Sequence, residues 1–344
     1  MPTGAGLDAQ FGMVAESTYG TLVTVTRFLE FSAESLKFEP TWLEPTGLRP
    51  GVKYKRVARV KQSRKMVNGD LTLEWATKGL GLLVKHMLGS PVTVPTVIVA
   101  GAYRQPHVPG DFRTLSTTMQ VGRPEPSTGT VRPHTLGGCK IPSWEFSCKD
   151  NEIPTLKVTI DGRSEATATA LATATYLTGA TVFDFSQATL KLGGTPTTSA
   201  GLTTVAGGVA VATVVREIGF KGEAPMATER FGLGNAGLKS EPLENDTPTV
   251  TGSLAAEFNK TELYDVYQAN TTTCLEFTLT GGQIAATGEF FMLKFICPAI
   301  KLKSAAPSVS GPDIVAMSTE FEGYSDETTN PVIQVLIQSD ESVL

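Results

Sequence analysis

The sequence predicts a mainly β protein built from two tandem units, each carrying one helix. Three observations predict it: a strand–helix passage that occurs twice, alternating apolar and polar residues in both halves, and a composition low in charge. The two copies are VNGDLTLEWATKGLGLLVKHMLG at 67–89 and VTGSLAAEFNKTELYDVYQAN at 250–270. Gly69, Leu71, Glu74, Trp75 and Leu80 match Gly252, Leu254, Glu257, Phe258 and Leu263, always 183 residues apart. One register held across a glycine, a leucine, a glutamate, an aromatic and a second leucine marks an internal duplication. Each copy reads as a turn at its glycine, a short strand and a compact helix.

The 344 residues suffice for two domains with their own cores. Charged residues make up 18%, against a usual share of about 25%. Abundant Thr, Val, Ala and Gly then favour strands and turns. The expected division is an N-terminal arm at 1–20, a first β unit at 21–164 with an insertion at about 90–136, a linker at 165–180 and a second unit at 181–344.

In chain order, the arm is small and polar, with Phe11 and Val14 as its apolar anchors. RFLEFSAESLKF (27–38) places Leu29, Phe31 and Ala33 on one face and Glu30, Ser32 and Glu34 on the other, the period of a half-buried strand. TWLEPTGLRPG (41–51) is broken by Pro45, Gly47, Pro50 and Gly51 and reads as a loop. A basic hairpin follows, where Lys53, Lys55, Arg56, Arg59, Lys61, Arg64 and Lys65, with Arg49 just upstream, occur without one acid. Like charges at that density face water or an acidic partner.

The first helix is expected to bury Leu80, Leu83, Val84 and Met87, an i, i+3, i+4, i+7 stripe, and to end at Gly89. Residues 139–163 read as two strands about an Asp150-Asn151 turn. EATATALATATYLTGA (165–180) is low in complexity and makes the domain boundary. TVFDFSQATLKLGG then echoes FLEFSAESLKF, and 193–213 reads as a flexible loop or hairpin. In the second helix Leu263, Val266 and Tyr267 are expected to face inward. After Lys303 no basic residue occurs, while Asp313, Glu320, Glu322, Asp326, Glu327, Asp340 and Glu341 accumulate. Patches of opposite sign on one chain suit head-to-tail association of identical subunits.

Composition also excludes functions. A net charge of −5 argues against a duplex-gripping protein, which needs a basic domain or stripe. Four cysteines without a C-x-x-C pair and three scattered histidines argue against zinc, so Cys139, Cys148, Cys274 and Cys297 are expected as buried free thiols. FGLGNAG (231–237) matches G-x-G-x-x-G literally, but Pro242 and Pro248 follow where the dinucleotide fold needs a helix, so no cofactor is expected. No P-loop, H-E-x-x-H or G-x-S-x-G is present. The start of the chain has no apolar h-region and no run of 18 apolar residues occurs, so neither a secretory leader nor a membrane span is expected.

With these residues in view, the chain resembles the major tail tube proteins of long flexible-tailed (siphovirus-type) bacteriophages. The resemblance lies in FGMVAESTYGTLVTVTRFLEFSAESLKFEP (11–40), the basic hairpin, GDLTLEW leading into a helix that ends MLG, and LKVTIDGR (156–163). It implies two tail-tube-like units of packed antiparallel β-sheets (a β-sandwich or partial barrel), each with a flanking helix. Such subunits form rings whose inner sheets join into a barrel, and the rings stack into a tube that conducts DNA during ejection. A duplicated chain then implies a trimeric ring with pseudo-sixfold symmetry, the alternative being a hexamer with one unit lining the lumen. The resemblance further implies tape measure, tail terminator and distal tail proteins as partners, and genomic DNA passing without specific binding. It implies no contractile sheath, no catalysis, assembly in the host cytoplasm and residence in the virion tail. Phe11, Val14, Arg49 and the basic hairpin are then expected at assembly interfaces, with arm and hairpin making ring-to-ring contacts, and Glu30 and Glu34 are expected to face the lumen. A tandem β-domain decoration protein or tail-tip adhesin is the second class, and an enzyme resting on unseen carboxylate pairs the third.

Overall fold

The computed structural model describes residues 4–309, 311–312 and 314–344; Asp313 lies outside them. The first half holds β1 (Gln10–Ala15), β2 (Arg27–Leu29), β3 (Ala33–Glu34), β4 (Lys37–Leu43), β5 (Lys61–Glu74), α1 (Gly81–Leu88), β6 (Thr96–Val99), β7 (Ala102–His107), β8 (Thr117–Pro124), β9 (Val131–Lys149), β10 (Thr155–Gly162) and β11 (Ser164–Ala166). The second holds β12 (Ala188–Leu192), β13 (Thr195–Ser199), β14 (Leu202–Ala206), β15 (Val209–Ala210), β16 (Val215–Glu223), β17 (Thr249–Glu257), α2 (Glu262–Gln268), β18 (Thr273–Gln283), β19 (Phe290–Ser304), β20 (Ala316–Gly323) and β21 (Gln334–Ser339). The fold is mainly β, with large antiparallel sheets.

Strand neighbours in the first half run β2-β1-β8-β9-β10-β5-β4. Those in the second run β15-β12-β18-β19-β20-β17-β16. The halves meet because the C-terminal part of β9 also pairs with β16, Phe146 opposite Phe220. An unbroken run of eight strands results: β4-β5-β10-β9-β16-β17-β20-β19. Alternation gives this run two unlike faces. One inward row comprises Leu73, Leu156, Phe146, Phe220, Gly252, Phe321 and Leu302, paired strand to strand. The main apolar core, containing Trp75, Phe146, Phe220, Phe277 and Phe295, collects residues of both halves.

Gly69 and Gly252 do not make turns. Both lie inside strands, and a Cβ on either would collide with a carbonyl oxygen, Ser35 for Gly69 and Gly219 for Gly252. The glycine permits a neighbouring backbone to press onto the strand. Helix α1 follows expectation: Leu83, Val84 and Met87 are buried, and Gly89 closes it in the left-handed region. In α2 only Leu263 is buried, while Tyr267 points outward against the Tyr264 ring.

Other elements depart from the sequence reading. Residues 27–38 are three short pieces, not one strand, because β2 pairs with β1 whereas β3 and β4 pair with β5. Within 90–136, β8 is almost wholly buried between β1 and β9, and β7 pairs with the last strand, β21. Residues 195–206 form the two-stranded β13–β14 hairpin. All four cysteines are free and buried. Burial pushes the Cys148 thiol up to about 11 and the Cys274 thiol to about 12.

His86, on α1, and His107, on β7, are also buried, and burial, with Lys85 nearby, lowers both to about 3. Their ordinary value is about 6.5. The unfolded chain therefore binds protons that the folded chain refuses between pH 6.5 and 3. Stability should be flat above pH 6.5 and fall by about 1.4 kcal/mol per pH unit for each histidine below it. Melting curves from pH 7 to 4.5 test this, and His86→Leu should flatten the slope. An unchanged slope in that variant would refute the assignment.

Candidate assembly surfaces

The polar face of the eight-strand run is a charge lattice built by strand pairing. One row crosses seven strands as Thr72, Lys157, Glu145, Lys221, Thr251, Glu322 and Lys301, each opposite the next. Lys157 bonds Asp70 at 2.9 Å, Lys149 bonds Glu217 at 3.2 Å, Lys221 bonds Glu223 at 2.6 Å and Lys303 bonds Glu322 at 2.9 Å. Exposed Glu74 and Glu320 add negative charge to the same face. Exposed pairs of this kind contribute little stability; their effect, among the described residues, is a face on which lysines alternate with acids.

Glu34 is not on that face. It stands opposite Leu71, on the buried parity of β5, and its carboxylate accepts from Arg123 at 2.9 Å and from the Leu36 N–H at 2.9 Å. Glu30 is exposed between β2 and β3, at the rim of a cavity of about 220 Å³. The sequence pattern missed this because it treated 27–38 as one strand with one parity.

Phe11 is fully buried within β1, edge-on to Phe31 at 6.3 Å, and so belongs to this chain's own core. Val14, nearer the end of β1, keeps part of its surface. The expected arm is anchored by the β1 ladders to β2 and β8. Glu16 ties it further, since its buried carboxylate accepts from Ser116 Oγ, Thr118 Oγ1 and the Gly138 and Gly20 N–H groups.

The basic segment forms the far end of the β4–β5 hairpin. Arg49, Lys53, Lys55 and Lys61 are exposed along it, and Arg56, Arg59 and Lys65 are half-buried. Lys55 pairs with Glu44, and Arg64 reaches Glu229 at 2.8 Å. Apolar residues share this hairpin: Trp42, Leu43, Leu48, Tyr54 and Val57 are each more than half exposed. An exposed apolar group of that size marks an interaction surface. The C-terminal acids are partly engaged within the chain, Glu341 with Arg27 at 2.7 Å and Asp340 with Lys78 at 2.8 Å.

The literal G-x-G-x-x-G is the tip of the β16–β17 hairpin. The next element is the strand β17 rather than a helix, and the Gly237 backbone lies against Ser63 of β5. Among the described residues no group of three His, Cys, Asp or Glu is placed to hold a metal, and no helix is long and apolar enough to cross a membrane.

Open edges complete the picture. Among the described residues β4 pairs only with β5, and beyond Ile300 the end of β19 pairs only with β20. Strand edges at both ends of one sheet invite pairing with another chain. The geometry defines a β-rich structural subunit suited to edge-to-edge assembly. The profile of the phage tail tube protein family matches residues 6–323, and the chain belongs to that family. No curated protein matches it. Its role is structural: membership in a tail tube family entails self-assembly into the tube of a virion tail, alongside other tail proteins.

Proposed function

We propose that the chain is an internally duplicated tube subunit, without catalytic activity, of which three copies form a ring of pseudo-sixfold symmetry. One observation carries this reading: both halves share one strand order and are already joined, edge to edge, by β9 and β16. That junction uses residues 143–149 and 217–223. Through the strand pairings, the counterpart of 217–223 is 33–39, the open edge of β3 and β4, and that of 143–149 begins at Ser304, where the other open edge, β19, ends. Repeating the junction between chains removes both edges and closes the sheet into a barrel. Further support comes from the paired glycine contacts, since Ser35 and Gly219 occupy corresponding places beside Gly69 and Gly252.

The charge lattice then lines the lumen. A face without a basic stripe does not hold duplex DNA, whose charges recur about every 1.7 Å, so the genome slides through. Stacked rings of a long flexible, sheathless tail, ended by terminator and distal proteins and measured by a tape measure protein, complete the reading, with assembly in the host cytoplasm. Cryo-electron microscopy of the purified protein tests it. End-on views should show threefold features; clean sixfold rings would keep the tube and overturn the stoichiometry. Discrete particles at every concentration and salt would favour a decoration or adhesion protein.

A further inference from the structure

The β16–β17 hairpin does more than pair along the sheet. Its outer part, residues 224–248, folds across the first half of the same chain. The Lys65 N–H donates to the Gly237 carbonyl at 2.8 Å, and Leu238 bridges to Lys65. Lys239 bonds Asp161 at 2.5 Å, and Glu241 accepts from Lys140 at 2.6 Å and from the Thr114 N–H at 2.6 Å. Arg64 lies over the Phe231 ring at 4.8 Å.

The β4–β5 hairpin has the same plan, but its tip, residues 44–55, is exposed. Matching the strand registers places Lys37 on Lys221 and Glu39 on Glu223, and both hairpins carry that lysine–glutamate pair. Carried past the paired strands, the β4 offset of 184 sets Lys55 level with Lys239, and the β5 offset of 183 sets Arg56 there, so a basic residue stands at that place in either register. Each tip also presents a fully exposed leucine, Leu48 and Leu233. On the receiving side, Asp161 stands opposite Asn68 and Glu322 opposite Thr251, 183 residues further on. The occupancies differ in the sense that matters. The Lys239 side chain is 1% exposed and that of Lys55 is 62% exposed; the partner acids are 14% and 31% exposed.

We propose that the tip of the β4–β5 hairpin, residues 44–60, docks on the second half of a neighbouring copy of this chain within the ring, with Lys55 meeting Glu322 of that copy. This rests on the ring reading above and assigns the basic hairpin to the contact between neighbours in a ring, not between rings. Charge supports the choice of partner. The strip that corresponds to the internal dock carries Glu244, Asp246 and Glu322 beside Lys301 and Lys303, so the hairpin lysine takes over the Glu322 carboxylate that Lys303 holds at 2.9 Å in the single chain. Docking also covers Tyr54 and Val57, which are 87% and 88% exposed in the single chain. One internal bond is not copied: the counterpart of Lys65 is Pro248, which has no N–H to donate. The copied dock therefore depends on charge and on Tyr54.

Charge reversal tests it. Lys55→Glu should cut the fraction of protein sedimenting as rings or tubes at low salt about tenfold, without shifting the melting point of the single chain. Combining Lys55→Glu with Glu322→Lys should restore most of it. In a second measurement, Lys55→Cys and Glu322→Cys are placed in one chain and treated with a short bis-maleimide, the native thiols being buried. Products should form a ladder that stops at the ring size. A ladder extending without limit would mean that the hairpin reaches the next ring and would overturn the proposal. So would normal assembly of Lys55→Glu or an absence of cross-links in well-formed tubes. If the unsubstituted protein forms no rings at all, the ring reading itself falls.

Discussion

Phe146→Ala is expected to destabilise the chain by about 3–5 kcal/mol and to lower the melting of both halves together. Phe146 is fully buried where the halves join, opposite Leu156 on one side and Phe220 on the other. Its ring contacts Phe295 at 4.7 Å, Trp75 at 5.5 Å, Phe277 at 5.8 Å and Phe220 at 6.2 Å. Truncation removes buried area and opens a cavity among large, stiff rings that cannot collapse into it. Because those rings come from both halves, neither half keeps its core when the cluster loosens. Calorimetry should show one endotherm displaced as a whole, whereas Val97→Ala, at a site 59% exposed, should change little. Two separate transitions, with only one moving, would show that the halves fold independently.

The second large effect is expected from Lys239→Met, at about 3 kcal/mol, the lower end for breaking a buried ion pair. Lys239 is almost wholly enclosed, and burial already raises the Asp161 carboxyl above its ordinary range despite the ammonium beside it. Without that ammonium the carboxylate is a buried charge with no partner, so its pKa rises further. Protonating it then relieves the cost, and the stability gap between variant and unsubstituted protein should narrow as pH falls from 7 towards 5. Urea midpoints at the two pH values measure the gap. Lys239→Met combined with Asp161→Asn should recover most of the loss, because removing both charges avoids the unpaired one. A gap independent of pH would assign the loss to packing of the lysine stem.

Much of the local structure was legible because it depends on periodicity. The α1 stripe, the Gly89 terminus, the β9–β10 pair about Asn151 and the alternation of β10 all follow from residues close in sequence. What escaped depends on distant partners. Gly69 reads as a turn residue until Ser35 is seen against it, since a glycine serves a bend and a close backbone approach equally well. Glu34 alternates correctly with its neighbours, yet the strand breaks after Leu29 and its parity is reset by pairing with Leu71. Phe11, in a small-residue segment, gives no hint of the β1–β8 ladder that buries it. No short window reveals that β7 lies beside the last strand, because that pairing joins residues more than 220 positions apart. Of the candidate assembly surface, the basic hairpin was visible as charge, but its apolar residues and its correspondence to the β16–β17 hairpin required the strand registers.

The β9–β16 junction also bears on how the tube begins to grow. Two separate half-subunits would each surrender translational and rotational freedom to make that contact, a cost estimated at about 4–15 kcal/mol per association. Within one chain the partners are held at high effective concentration and the junction forms on folding. In the proposed ring, half of the lateral contacts are therefore complete before any two molecules meet. Ring closure then depends on the third power of subunit concentration rather than the sixth, so rings should appear at dilutions where an unfused half-length subunit would remain monomeric.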